Sequence, residues 1–278
     1  MGIHVSISGK IDLCFERARD LACRETFQIF TCSPRRWDAV PLDPLEIGAF
    51  RKKLSDSGYE IFVHMPYLPN LSSPDRTFYT KSNQVLQREI KRCSELGIKN
   101  LVLHFGSHMG TSIEAGKERI ASACTKAIEA IENMEVRLLL ENSADPRSVG
   151  SSFKTIGEVL ELVNDRKRMG VCLDTCHAFA SGYDLTSVAA VQKTMKDFDS
   201  SIGLSNLFLI HLNDSKGKLG SALDRHEDIG KGNIGRTGMA AVLTSEMLIK
   251  LPVILETPRN YEGEDKENIE TTKRLADA

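Results

Sequence analysis

SNQVLQREIKRCSELGIKNLVLH, residues 82–104, carries two hydrophobic periodicities in succession. Val85, Leu86, Ile90, Cys93 and Leu96 recur at three-and-four spacing, the apolar stripe of an amphipathic helix. Gly97 comes next, and glycine readily ends a helix in the left-handed conformation. The run Asn100–His104 that follows is too short for a helix and reads as a buried strand. Seven further short runs rich in Val, Ile, Leu and Phe occur at Ile3–Ser8, Thr26–Thr31, Ile61–His64, Arg137–Glu141, Met169–Asp174, Leu207–His211 and Pro252–Glu256. Periodic segments such as Ile113 to Met134 lie between them. Eight strands alternating with helices, one strand per roughly 35 residues, predict a closed parallel (β/α)8 barrel in one domain spanning residues 1–278. A doubly wound nucleotide-binding sheet would carry a glycine-rich turn after its first strand. Gly9-Lys10-Ile11 holds a single glycine and no phosphate cradle.

The 278 residues are 41% hydrophobic and 27% charged, an ordinary globular balance that excludes disordered and fibrous classes. With 36 Lys+Arg against 38 Asp+Glu the formal charge is -2, so bulk electrostatics recruits neither nucleic acid nor membrane, and a polyanion must be met by a local patch. Seven cysteines form an odd set with no paired CxxC spacing, which points to a reducing, cytoplasmic compartment. No run approaches the roughly 18 apolar residues of a membrane span, and no membrane partner is expected. Nothing in the sequence calls for an oligomer, so a monomer is expected.

The informative feature is what ends each run, because a barrel builds its active site at the carboxyl ends of its strands. Six consecutive runs end in His64, His104, Glu141, Asp174, His211 and Glu256. The loops after the sixth and seventh runs add His177, Asp224 and His226, so five of the seven histidines crowd one mouth. Taken alone, a strand-end histidine or acid is explained by a hydrogen bond at the barrel rim; six in succession are not. Asp224 and His226 rest on loop position only. His108 could replace His104, whereas His4, Cys172 and Cys176 read as packing residues. Neutral imidazole and carboxylate at one concavity are ligands of zinc and its neighbours, and nine of them exceed the three or four that one catalytic ion takes. Two or three ions follow. The rival reading is a single-metal sugar isomerase or epimerase using Glu141, Asp174, His211 and Glu256, in which the other five side chains would have no task.

The phrases HFGSH (104–108), LENSA (140–144), GVCLDTCHAFASGYD (170–184), HLNDS (211–215) and DRHEDIGKG (224–232) run in order along the chain. Together they resemble the signatures of the endonuclease IV family of apurinic/apyrimidinic endonucleases. That resemblance implies a trinuclear centre, zinc with manganese as the alternative, and a double-stranded DNA substrate containing an abasic site. The backbone would be hydrolysed on the 5′ side of the lesion, leaving a 3′-hydroxyl and a 5′-deoxyribose phosphate in base excision repair, with 3′-end cleaning as a further activity. By position, His64, His104 and Glu141 would hold one ion, Glu141, Asp174, His211 and Glu256 a second, and His177, Asp224 and His226 a third, with Glu141 as the bridging catalytic carboxylate. Arg35, Tyr67 and Leu68 match the family's DNA-contacting positions. The chain departs from the family's usual wording at Phe105 and at Pro66 and Pro69, which flank Tyr67 and Leu68; none of these is a ligand.

Overall fold

The computed structural model describes residues 1–130, 135–260 and 263–277. Ten strands are present among them: β1 (Gly2–Ile3), β2 (Thr26–Ile29), β3 (Glu60–His64), β4 (Asn100–His104), β5 (Arg137–Glu141), β6 (Met169–Asp174), β7 (Leu207–His211), β8 (Asp214–Ser215), β9 (His226–Glu227) and β10 (Val253–Leu255). The α-helices are α1 (Cys14–Asp20), α2 (Pro44–Ser57), α3 (Arg76–Leu96), α4 (Ile113–Glu129), α5 (Phe153–Val163), α6 (Thr175–Ala180), α7 (Val188–Ser201), α8 (Gly235–Leu243) and α9 (Glu264–Ala276). Eight strands pair in the order β1-β10-β7-β6-β5-β4-β3-β2, all parallel, and β8 and β9 form a separate antiparallel pair. A parallel bridge between His4 and Gln28 joins the two ends, so the sheet closes into the expected (β/α)8 barrel. Closure brings backbones very near at Gly2, where an added Cβ would sit 1.9 Å from the Thr26 carbonyl oxygen. No described helix is long and apolar enough to cross a membrane.

Local chemistry explains where elements start and stop. Helix α3 begins at Arg76, six residues ahead of Ser82, because the Asp75 side chain caps it by accepting from the Phe78 N–H at 2.7 Å. It ends at Gly97 with φ of 78°, as the sequence predicts. Strands β4 to β7 match their expected bounds. The first run is shorter than expected: the strand stops at Ile3, His4 makes an isolated bridge, and the carbonyls of Ser6 and Ser8 are taken by Arg17 at 2.7 Å each. The second stops at Ile29, and the third gains Glu60. Pro252 and Glu256 fall outside the last strand. In the segment Ile113 to Met134 the helix covers Ile113–Glu129, and residues 131–134 lie outside the described residues.

Inside the cylinder Phe62, Val102, Leu139, Cys172, Leu209 and Ile254 form one fully buried apolar cluster. Each lies two residues before a polar strand-end residue: His64, His104, Glu141, Asp174, His211 and Glu256. Successive strand side chains alternate faces, so both layers point at the axis, the apolar one beneath the polar one. The apolar layer is the dry floor of the mouth. Leu139 is 0% exposed within it, so Leu139→Ala should lower the unfolding free energy by about 2–5 kcal/mol. The check is urea unfolding followed by circular dichroism, with a reduced midpoint expected at unchanged m-value.

Candidate metal centre

Glu141 is the hub of the mouth. It ends β5, is 0% exposed, and is aligned with His104 across the β4–β5 pair, just as Asp174 is aligned with His211 across β6–β7. Four imidazoles approach its carboxylate: His64 Nε2 at 3.1 Å, His211 Nδ1 at 3.0 Å, His177 Nδ1 at 3.5 Å and His104 Nδ1 at 3.6 Å. His211 Nδ1 also lies 3.2 Å from Glu256 Oε2. Ligand atoms of His64, His104 and Glu141 fall within 4.8 Å of one another, as do those of Glu141, Asp174, His211 and Glu256. The first two sets read from the sequence are therefore spatial clusters able to hold a cation. The third is arranged differently. Asp174, His177 and His226 form one cluster and Cys176, Asp224 and His226 another, while Asp224 Oδ1 reaches His177 Nε2 at 3.2 Å and His226 Nε2 at 3.6 Å. His108 belongs to no such cluster among the described residues.

Hydrogen bonds set which ring nitrogen faces the centre. A backbone carbonyl only accepts, so any ring nitrogen bonded to one carries the proton and the other nitrogen is left for the site. His64 Nδ1 donates to the Met65 carbonyl at 2.7 Å, His177 Nδ1 to that of Asn142 at 3.0 Å, and His226 Nδ1 to that of Glu256 at 2.8 Å. His226 Nε2 is buried with no hydrogen-bond partner. An unpartnered buried imidazole nitrogen aimed at two carboxylates is what a cation site leaves behind.

The electrostatics of the protein groups fit that reading. Burial opposes charge on Glu141, but His104, His211 and His64 overcome it and hold the carboxyl well below the usual range. Burial likewise opposes the His177 imidazolium, yet Asp174, Asp224 and Glu141 raise it to about 10. A cation entering the cluster would compete with that proton. Burial pushes the Cys176 thiol up to about 12, and it donates to the Arg225 carbonyl at 3.7 Å, so it stands there as a neutral neighbour.

Local turns deliver the loop residues. Asp174 caps α6 by accepting from the His177 N–H at 2.7 Å, which places the two side chains together three residues apart. Asn142 and Asn213 brace Asp174: its N–H donates to Asn142 Oδ1 at 2.7 Å, and Asn213 Nδ2 donates to Asp174 Oδ2 at 2.6 Å. Asn213 Oδ1 also accepts from the Glu256 N–H at 2.8 Å. Asp214 is fully buried and accepts from the N–H groups of Ser215, Gly230, Gly232, Ile234 and Gly235, gathering the loop that follows β9. Gly232 permits this, since a Cβ there would lie 2.5 Å from Asp214 Oδ1.

Arg35 is exposed and Tyr67 is 56% exposed, with Leu68 half-buried beside it. Tyr67 packs on Phe30, His64 and His104 with ring centroids 5.3, 5.6 and 6.4 Å away. Arg35, Tyr67 and Glu256 line one cavity of about 440 Å³. The loop bearing Arg35 is anchored at Thr31, which donates to buried Glu89 at 2.5 Å and accepts from Arg92 Nε at 2.8 Å. Of the basic residues that follow strands, Arg147, Lys216, Lys231 and Arg259 are each paired with an acid, which weakens the cationic rim they would otherwise form. Sequence reasoning assigned no role to Asn142, Asn213 and Asp214, although all three sit in phrases beside ligand candidates. It also passed over Gln28, whose signal was a polar residue inside the apolar run Thr26–Thr31.

Comparison with known proteins adds the following. A family model described as a xylose isomerase-like TIM barrel matches residues 15–276. Probable endonuclease 4 of Methanoculleus marisnigri is 46% identical over 280 residues, covering 100% of this chain and 99% of that protein. The like-named protein of Nitrosopumilus maritimus is 45% identical over 280 residues, covering 99% of each. The crystal structure of endonuclease IV from Thermus thermophilus superposes with a TM-score of 0.87 at 33% identity, covering 99% of this chain and 98% of that one. A D-tagatose 3-epimerase-like protein superposes at 0.74 with 19% identity, covering 100% and 98%, a likeness of fold alone.

Because five backbone donors converge on one buried carboxylate, Asp214→Ala should cost about 3 kcal/mol of stability. Chemical denaturation monitored by circular dichroism measures this. A loss under about 0.5 kcal/mol, the level of an ordinary surface change, would show that the loop holds itself.

Proposed function

The chain belongs to the endonuclease IV family and is an AP endonuclease of DNA repair, and on that premise we propose that His64, His104, Glu141, Asp174, His177, His211, Asp224, His226 and Glu256 hold three divalent ions, zinc or manganese. The observation that carries this is the convergence of nine imidazole and carboxylate side chains, with His226 Nε2 buried and otherwise unpartnered. Bound there, divalent ions would supply Lewis acidity and positive charge to an anionic phosphodiester. The donor set fits them: imidazole nitrogen and carboxylate oxygen are borderline to hard ligands.

The remaining work belongs to the chain's own residues. Glu141, with an oxygen facing His64 and the other facing His211, ties two of the three sets together. The apolar layer below keeps water out from the floor, so charges at the mouth act in a low dielectric. On this reading Tyr67 and Leu68 at the rim fill the gap left by a missing base, and Arg35 reaches into the minor groove. An abasic nucleotide is cheaper to extrude than a stacked one, which supplies selectivity. The products are a 3′-hydroxyl and a 5′-deoxyribose phosphate, with 3′-end cleaning as the same hydrolysis at a terminus. A cytoplasmic setting belongs to the same proposal and is supported by seven cysteines that are all free. The single-metal isomerase reading leaves His64, His104, His177, Asp224 and His226 gathered at the same mouth with nothing to do.

Incubation of an end-labelled duplex with one abasic site should give a single metal-dependent cut 5′ to the lesion, abolished by a chelator, alongside about three ions per chain by elemental analysis. One ion per chain and no cut would favour the isomerase. Glu141→Gln should keep its circular dichroism spectrum and lose at least about 100-fold in kcat. Near-normal turnover would contradict its bridging place. Tyr67→Ala should raise KM for the abasic duplex by about 10-fold, from about 1–3 kcal/mol of lost stacking, at little change in ion content.

A further inference from the structure

His211 differs from the other oriented histidines of the centre. His64, His177 and His226 have their proton placed by backbone carbonyls, which no substitution removes. His211 turns the opposite ring edge to the site, with Nδ1 facing Glu141 and Glu256, and its Nε2 meets a side chain, Gln28 Oε1, at 2.9 Å.

The amide of Gln28 can be assigned from its partners. One end lies 2.6 Å from Glu256 Oε1. An ionised carboxylate only accepts, so that end is the NH2 group and the other end is the carbonyl oxygen. A carbonyl oxygen in turn forces His211 Nε2 to be N–H, so in the neutral ring that binds a cation the lone pair lies on Nδ1. The second amide N–H of Gln28 faces His4 Nδ1 at 3.1 Å. Gln28 is 0% exposed and sits at the His4–Gln28 bridge where the barrel closes, so its backbone is held as firmly as its side chain. One amide thus contacts two of the four residues in the Glu141, Asp174, His211, Glu256 cluster.

We propose that Gln28 is a positioning residue of this centre: it holds His211 in the Nε2–H tautomer and fixes one oxygen of Glu256, so that His211 Nδ1 and Glu256 Oε2 are presented together to the ion they share. The proposal rests on the metal reading above. A partner that fixes a ligand's tautomer typically contributes about 10–100-fold in metal affinity, because without it the ring is free to turn or to carry its proton on the wrong nitrogen.

The test uses the full-length chain. Gln28→Met keeps length and removes both polar ends. Wild type and Q28M are loaded with zinc and dialysed against graded chelator, and retained ions are counted by elemental analysis. The expected result is that Q28M loses one ion at about 10–100-fold lower chelator concentration than wild type while retaining the others. In abasic-duplex cleavage kcat should fall with KM unchanged, which general loosening of the fold would not produce. A folded Q28M that retains every ion as wild type does overturns the proposal. If Q28M does not fold, long-range proton–nitrogen NMR of zinc-loaded wild type decides, since a His211 proton on Nδ1 overturns it and one on Nε2 supports it. Wild type that takes up no zinc overturns the metal reading itself and this proposal with it.

Discussion

The mouth of this barrel depends on the two-residue repeat of the β pleat, held in step across six neighbouring strands. Because side chains alternate faces, a strand that turns Leu139 toward the axis must also turn Glu141 toward it, one layer higher. The parallel register then sets His104 beside Glu141 and Asp174 beside His211, and at the joints between these pairs it steps by two residues, which keeps every one of these side chains on the inner face. A slip of one residue in any strand would send its ionisable group outward and its neighbour inward. The apolar layer and the polar layer are therefore one design, and the packing that stabilises the fold also aligns the site.

That design carries an electrostatic cost which the site meets internally. A carboxylate removed from water, as Glu141 is, requires opposite charge or donors around it, and the four imidazoles beside it supply them as protonated rings or, when neutral, through a cation they hold. His64 and His211 are held at the nitrogen turned away from Glu141, by the Met65 carbonyl and by Gln28, and backbone carbonyls likewise anchor His177 and His226. Rings fixed in this way have little freedom to reorient, so the cluster is organised before any cation or substrate arrives.

Residues beyond the strands are placed by short-range bonds of a different kind. Asp174 serves twice, as a member of the cluster and as the cap of the helix that carries His177. Asp214 gathers the loop after β9, next to the strand that carries His226. The loop with Arg35 hangs from the buried Thr31, Glu89 and Arg92 network, outside the barrel's own ladder.

From residues alone came the alternation of strands and helices, the barrel, and the nine side chains that end strands or follow them, because short apolar runs and their terminal polar residues are local patterns. Strand ends at Ile3 and Ile29, and the start of α3 at Arg76, departed from those patterns where a distant arginine or a capping side chain intervened. Which nitrogen of each histidine faces the centre, the bracing by Asn142, Asn213 and Asp214, and the bond from Gln28 to His211 across 183 positions of chain emerged only in the folded molecule. These are contacts between groups far apart in sequence. No periodicity encodes them, since their partners meet only when the cylinder closes.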